Sequence, residues 1–151
     1  MMQKLRYILG LVAMLSLAQM AGISGAYAET PRPPIANIVK AYQGTEGAQV
    51  WTLRIGEPAE SQALVQITGI DHDWNGKIQK MNVEKLSNST RYWLNVNNNK
   101  FVVLILNQGY GELYLPGEAQ PVHIGYSKDL SDQGNAQAFL TDYLQQSAGN
   151  N

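Results

Sequence analysis

Thr90-Arg91-Tyr92-Trp93-Leu94-Asn95-Val96-Asn97-Asn98-Asn99-Lys100-Phe101-Val102-Val103-Leu104-Ile105-Leu106 is the stretch on which the fold turns. Thr90, Tyr92, Leu94 and Val96 recur at period two, the mark of a strand with one buried face. Asn97, Asn98 and Asn99 follow, and asparagine tolerates the left-handed backbone that a tight turn requires. Phe101 to Leu106 is then apolar at six consecutive positions. A strand buried on both faces reads this way, with each such side chain worth about 1.5–3 kcal/mol on burial. Something must cover its second face, and a helix is the natural candidate.

Outward from this stretch the same period continues. Val50 to Ile55 alternates, with Trp51, Leu53 and Ile55 on the expected core side and Thr52 and Arg54 opposite. Ala63 to Ile70 follows a turn-rich Glu57–Ser61. Asn75-Gly76 predicts a hairpin turn into Lys77–Leu86, where the shift from Ile78 to Met81 and Val83 predicts a bulge near Gln79-Lys80. Glu112–Leu115 and Val122–Tyr126 complete seven strands, separated by Gly109-Tyr110-Gly111 and Pro116-Gly117-Glu118.

The two ends read as helices. Ile35, Ile38, Val39 and Tyr42 recur at helical spacing and stop at Gly44. Ala136, Phe139, Leu140, Tyr143 and Leu144 form a longer apolar stripe that Asn135 would cap. The expected fold is a single α+β domain over residues 35–147. It is a curled antiparallel meander of about seven strands, with a short N-terminal helix and a C-terminal amphipathic helix packed on the sheet. Residues 148–151 read as a disordered tail, and removing everything from Gln146 onward is expected to change little. There is no internal repeat.

Ahead of the domain, Lys4 and Arg6 precede an apolar run from Tyr7 to Leu17, and Ala26-Tyr27-Ala28 supplies small residues for cleavage. Residues 1–28 thus read as a signal peptide. A spanning helix needs about 20 apolar residues, and Gln19, Gly22, Ser24 and Gly25 interrupt this run. Residues 29–34, with Pro31, Pro33 and Pro34, read as an extended tether. The expected location is the periplasm or outside the cell. Asn88-Ser89-Thr90 matches a glycosylation acceptor, relevant only to a eukaryotic secretory route.

Cleavage after Ala28 would leave 123 residues, nine of them basic and twelve acidic, for a net charge of −3. That is a mild acidity spread along the chain with no basic patch, so binding to nucleic acid or anionic lipid through charge is not expected. The absence of cysteine excludes disulfides, thiol chemistry and cysteine-bound zinc, so core packing alone must hold the domain.

Asp71-His72-Asp73 is the one place where two acids and a histidine adjoin, a pattern able to ligate a metal or share a proton; a polar turn accounts for it as well. His123 lies between Val122 and Ile124 and points away from them. Glu57 with Glu60 and Glu112 with Glu118 read as surface charge. A serine elbow, phosphate loop, dinucleotide fingerprint and helical His-Glu-x-x-His are all missing, so no cofactor is implied. Trp74 stands in a turn, as does Tyr110, and turn-borne aromatics mark interfaces or sugar platforms. Alternate turns of a meander share an end. Trp74, His72, Asp73, Asn98, Glu118 and His123 therefore form the expected binding rim. The function expected from this is a non-catalytic binding module acting on a protein partner, such as an inhibitor, an immunity-type protein or an envelope accessory. A glycan- or small-ligand-binding protein using the aromatic rim or a curled-sheet cavity is one alternative. A metal- or carboxylate-dependent hydrolase at Asp71–Asp73 is the other.

Overall fold

Eight strands run antiparallel in sequence order: β1 (Lys40–Gly44), β2 (Gln49–Ile55), β3 (Gln62–Thr68), β4 (Ile78–Lys85), β5 (Thr90–Val96), β6 (Asn99–Asn107), β7 (Tyr110–Leu113) and β8 (Val122–Tyr126). The last pairs with the first, Tyr42 opposite Tyr126 and Gly44 opposite Ile124, so the sheet closes into a barrel. Two helices follow, α1 (Lys128–Gln133) and α2 (Ala136–Ala148). The computed structural model describes residues 31–150. The expected signal peptide and the first two residues of the tether, Glu29 and Thr30, lie outside them.

The expectation of a curled meander of about seven strands with an N-terminal helix is overturned by a closed barrel of eight strands. The missing strand is the segment read as that helix. Val39 packs in the apolar cluster under α2, whereas Tyr42 packs in the barrel interior. A helix would put these two on one face; here they occupy opposite sides of one wall. Ile35 bridges to Ile55 and the Pro34 carbonyl accepts from Gly56 N–H, so the chain enters extended. Its β-branched residues favour that state, and Lys40–Gly44 supplies the strand that closes the barrel.

An eight-stranded barrel has an interior just wide enough to be filled by side chains. Val50, Val65, Met81, Leu104, Leu113 and Ile124 fill this one. Gly111 is required there, because a Cβ on it would lie 2.5 Å from the Ile105 carbonyl oxygen. Outside, α2 lays Phe139 and Leu140 against Leu53, Ile55, Leu64 and Ile78. The Trp51, Leu53 and Ile55 face of β2 is therefore the outer one. Thr52, paired with Lys40 and Val65, belongs to the lumen.

The apolar shift in β4 has the same origin: Ile78 packs outward under α2 and Met81 inward. The β3–β4 register runs unbroken from Gln62↔Asn82 to Gln66↔Ile78, so the expected bulge is not there. The register breaks instead between β5 and β6, where Tyr92 faces Leu104 but Trp93 faces Val102. Val103 is the extra residue, and its carbonyl accepts from Tyr114 N–H at 2.7 Å. Along Phe101–Leu106, Val103, Leu104 and Leu106 are buried while Phe101, Val102 and Ile105 are only half-buried. The helix covers other strands.

Asn97 and Asn98 take the left-handed backbone at φ 51° and 64° and join β5 to β6 in two residues. Asn75-Gly76 does not make a two-residue hairpin; it closes a nine-residue connection, 69–77, from β3 to β4. At the seam, α1 acts as a clasp. Ser131 Oγ accepts from Ala41 N–H at 2.8 Å and donates to the Ser127 carbonyl, while Ser127 N–H donates to Ala41.

Candidate functional site

Antiparallel order sends the connections 45–48, 69–77, 97–98 and 114–121 to one end of the barrel and 56–61, 86–89 and 108–109 to the other. The first end is corked. Connection 69–77 folds inward, and Ile70 and Trp74 pack on the interior cluster beside Phe101. The Trp74 ring meets Phe101 edge-on at 6.2 Å and His72 edge-on at 5.5 Å. His72 locks the loop: its Nδ1 accepts from Trp74 N–H at 3.1 Å, and its Nε2 lies 2.9 Å from the Pro116 carbonyl. With Nδ1 accepting, the proton sits on Nε2 and donates to Pro116.

The second end is open. Two adjoining cavities of about 640 Å³ and about 390 Å³ lie there, sharing Lys40, Thr90 and Tyr92. Lys40, Arg54 and Lys85 line the larger one, and no carboxylate lines either. Arg54 is held by donating through Nη1 to the Gly56 carbonyl at 2.6 Å, and Thr52 Oγ1 donates to the Lys40 carbonyl at 3.3 Å. The acids nearest in sequence, Glu57 and Glu60, are exposed on the β2–β3 connection. The result is a cup with a cationic wall.

Tyr92 lines both cavities and Tyr42 the smaller one. Tyr42 meets Tyr126 edge-on at 5.8 Å. Burial, with Tyr92 and Tyr126 nearby, pushes the Tyr42 phenol up to about 12. Burial also raises Tyr92, against the opposing pull of its hydrogen bond with Thr52. A phenol raised above its unfolded value, near 10, favours the fold only while protonated. The melting temperature should therefore hold up to about pH 10 and fall as pH climbs from there through 12. Tyr42→Phe should remove part of that fall, as read by thermal scans at fixed pH. Parallel curves for the two proteins would show that Tyr42 does not titrate late.

The six residues expected to form a site are all at or near the corked end, and the structure joins only two of them. Trp74 and His72 interact, but with the core and with each other. Asp73, Asn98, Glu118 and His123 are exposed, Asn98 as a turn residue and His123 outward opposite Glu112 on β7. Asp71 is exposed too, and both His72 nitrogens are engaged. Among the described residues no three His, Asp or Glu side chains gather where a metal could bind, and no helix is long and apolar enough to cross a membrane.

No family model, curated protein or solved structure matches the chain. Function has to be argued from the cup itself.

Its residues were missed because Thr52 and Arg54 sit on the polar side of an alternating strand, which in an open sheet is the wet side. One signal was present. Lys40, Arg54 and Lys85 all fall near strand ends that antiparallel order sends to the same end, so closure alone would have gathered them.

Proposed function

We propose that this chain is an exported, non-catalytic binding protein whose cup takes a small ligand with an anionic group and an apolar part. One observation carries the reading: Lys40, Arg54 and Lys85 line the larger cavity with no carboxylate among them, beside half-buried Tyr92. Cations gathered without acids repel one another and leave a field that an anion relieves. The cavity lies within the size range of small-molecule sites, roughly 300–1,000 Å³. Ala63, Val83 and the Tyr92 ring supply apolar wall beside the charge. Work outside the cytoplasm is supported by the signal-like residues 1–28. A protein partner acting through Trp74 is less well supported, because that ring packs on the core.

The test uses 8-anilinonaphthalene-1-sulfonate, an anion with an apolar body, titrated by calorimetry. Binding of one molecule per chain is expected, displaced by dodecanoate. Lys40→Glu with Lys85→Glu should weaken it at least tenfold while the melting temperature stays within a few degrees, since both lysines are exposed. Failure of the probe to bind, or equal binding by the reversed-charge variant, sinks the reading. Loss of binding in Trp74→Ala but not in the lysine variant would move the site to the corked end.

A further inference from the structure

The open end carries a second feature, an exposed apolar rim, which meets the cup at Ile38 on the larger cavity and Leu86 on the smaller. The large hydrophobic side chains exposed among the described residues are Ile38, Leu86, Tyr110 and Tyr126. Ile38 immediately precedes β1, Leu86 opens the β4–β5 connection, Tyr110 starts β7 and Tyr126 ends β8. Strand order brings all four to the open end, and none of the four is at the corked one. Ile38 at 68 % and Tyr110 at 63 % exposure stand almost free of the barrel. Scattered single apolar residues need no explanation, whereas four around one opening mark an interaction surface.

We propose that this rim docks against an anionic lipid surface, with Ile38, Leu86, Tyr110 and Tyr126 entering the headgroup layer and Lys40 and Lys85 facing its charge. The choice of occupant follows from charge and layout. A second copy set mouth to mouth would place Lys40, Arg54 and Lys85 against the same three cations. A protein surface would have to match four prongs that leave from four separate connections around a cationic centre. A fluid lipid surface adapts to that layout, and tyrosine and lysine are side chains that suit its interface. The net charge of −3 conceals this arrangement. The acids of this end, Glu57, Glu60, Asp129 and Asp132, are exposed outside the cavity linings, and Lys128 is already paired with Asp132.

Sedimentation with vesicles tests it, using phosphatidylcholine alone and phosphatidylcholine with a third of phosphatidylglycerol. Binding is expected to the mixed vesicles only, and to weaken in 0.5 M salt, since the Debye length falls below about 5 Å there. Ile38→Ser, Leu86→Ser and Tyr110→Ser combined should reduce it at least tenfold with the melting temperature unchanged. Lys40→Gln alone should reduce it about fivefold, the typical effect of one lysine near such a surface. No binding to the mixed vesicles, or binding indifferent to the triple substitution, overturns the proposal. So does a dimer by light scattering that the triple substitution dissociates. The probe titration in solution reports on the cup separately, so either result can fail without the other.

Discussion

Leu104→Asp should leave the protein unfolded at room temperature, by circular dichroism and by loss of cooperative denaturant unfolding. Leu104 is fully buried at 0 % exposure, inside a ring of apolar residues from the other strands. The closed barrel gives a carboxylate there neither water nor a cation. An uncompensated charge at such a site exceeds about 4 kcal/mol, a large part of the roughly 5–15 kcal/mol that holds a domain together. Ile105→Asp, one residue on, should behave differently. Ile105 is half-buried on the outer face and pairs with Arg91, whose Nε is buried without a partner. A carboxylate there faces Arg91 on one side and the like charge of Glu112 on the other, so the loss should stay below that of Leu104→Asp, at about 1–3 kcal/mol. Equal collapse of both variants would mean that β6 is covered on both faces, against the barrel.

Truncation after Asn135, which removes α2, should cause aggregation or the loss of about 5 kcal/mol or more of stability. Phe139 and Leu140 are buried, at about 1.5–3 kcal/mol each, and half-buried Ala136, Tyr143 and Leu144 add to them. The outer face left bare carries Leu53, Ile55, Leu64 and Ile78, a contiguous patch of the kind that drives association. Truncation after Gln146 should be nearly silent. Truncation one residue earlier should not, because Gln146 accepts from Ile78 N–H at 2.9 Å and donates to the Ile78 carbonyl at 2.8 Å. Leaving those two groups unpaired at a part-buried site costs about 1–3 kcal/mol. This corrects the expectation that the chain from Gln146 onward is dispensable. The three lengths, compared by urea denaturation, check the series; a stable, monomeric protein ending at Asn135 would refute it.

Most of the strands were legible, β6 from its unbroken apolar run and the others because period two survives where one face meets a core. The turn at Asn97-Asn98 was legible from residue type, and α2 from its stripe of Ala136, Phe139, Leu140, Tyr143 and Leu144. Beyond that, local pattern misled wherever a distant element decided the answer. Ile35, Ile38, Val39 and Tyr42 fit a helix by spacing, and only the pairing of Tyr42 with Tyr126, far along the chain, makes the segment a strand. Which face of β2 is inside depends on closure and on α2, neither of which Val50–Ile55 contains. The cup was hidden for the same reason, and Trp74 drew attention to the wrong end because its turn is a plug.

Closure also imposes an order of events. β1 cannot find its second neighbour until β8 exists, and the clasp of Ser127 and Ser131 on Ala41 lies later still. A chain made or threaded from its N-terminus therefore carries an unpaired β1 edge until nearly all of it has emerged. Such edges are templates for pairing between molecules, and contacts this distant in sequence form slowly. With no disulfide to trap a partial structure, the interval before Tyr126 arrives is when the molecule is most exposed to aggregation, and a chaperone that masks Lys40–Gly44 would protect it then.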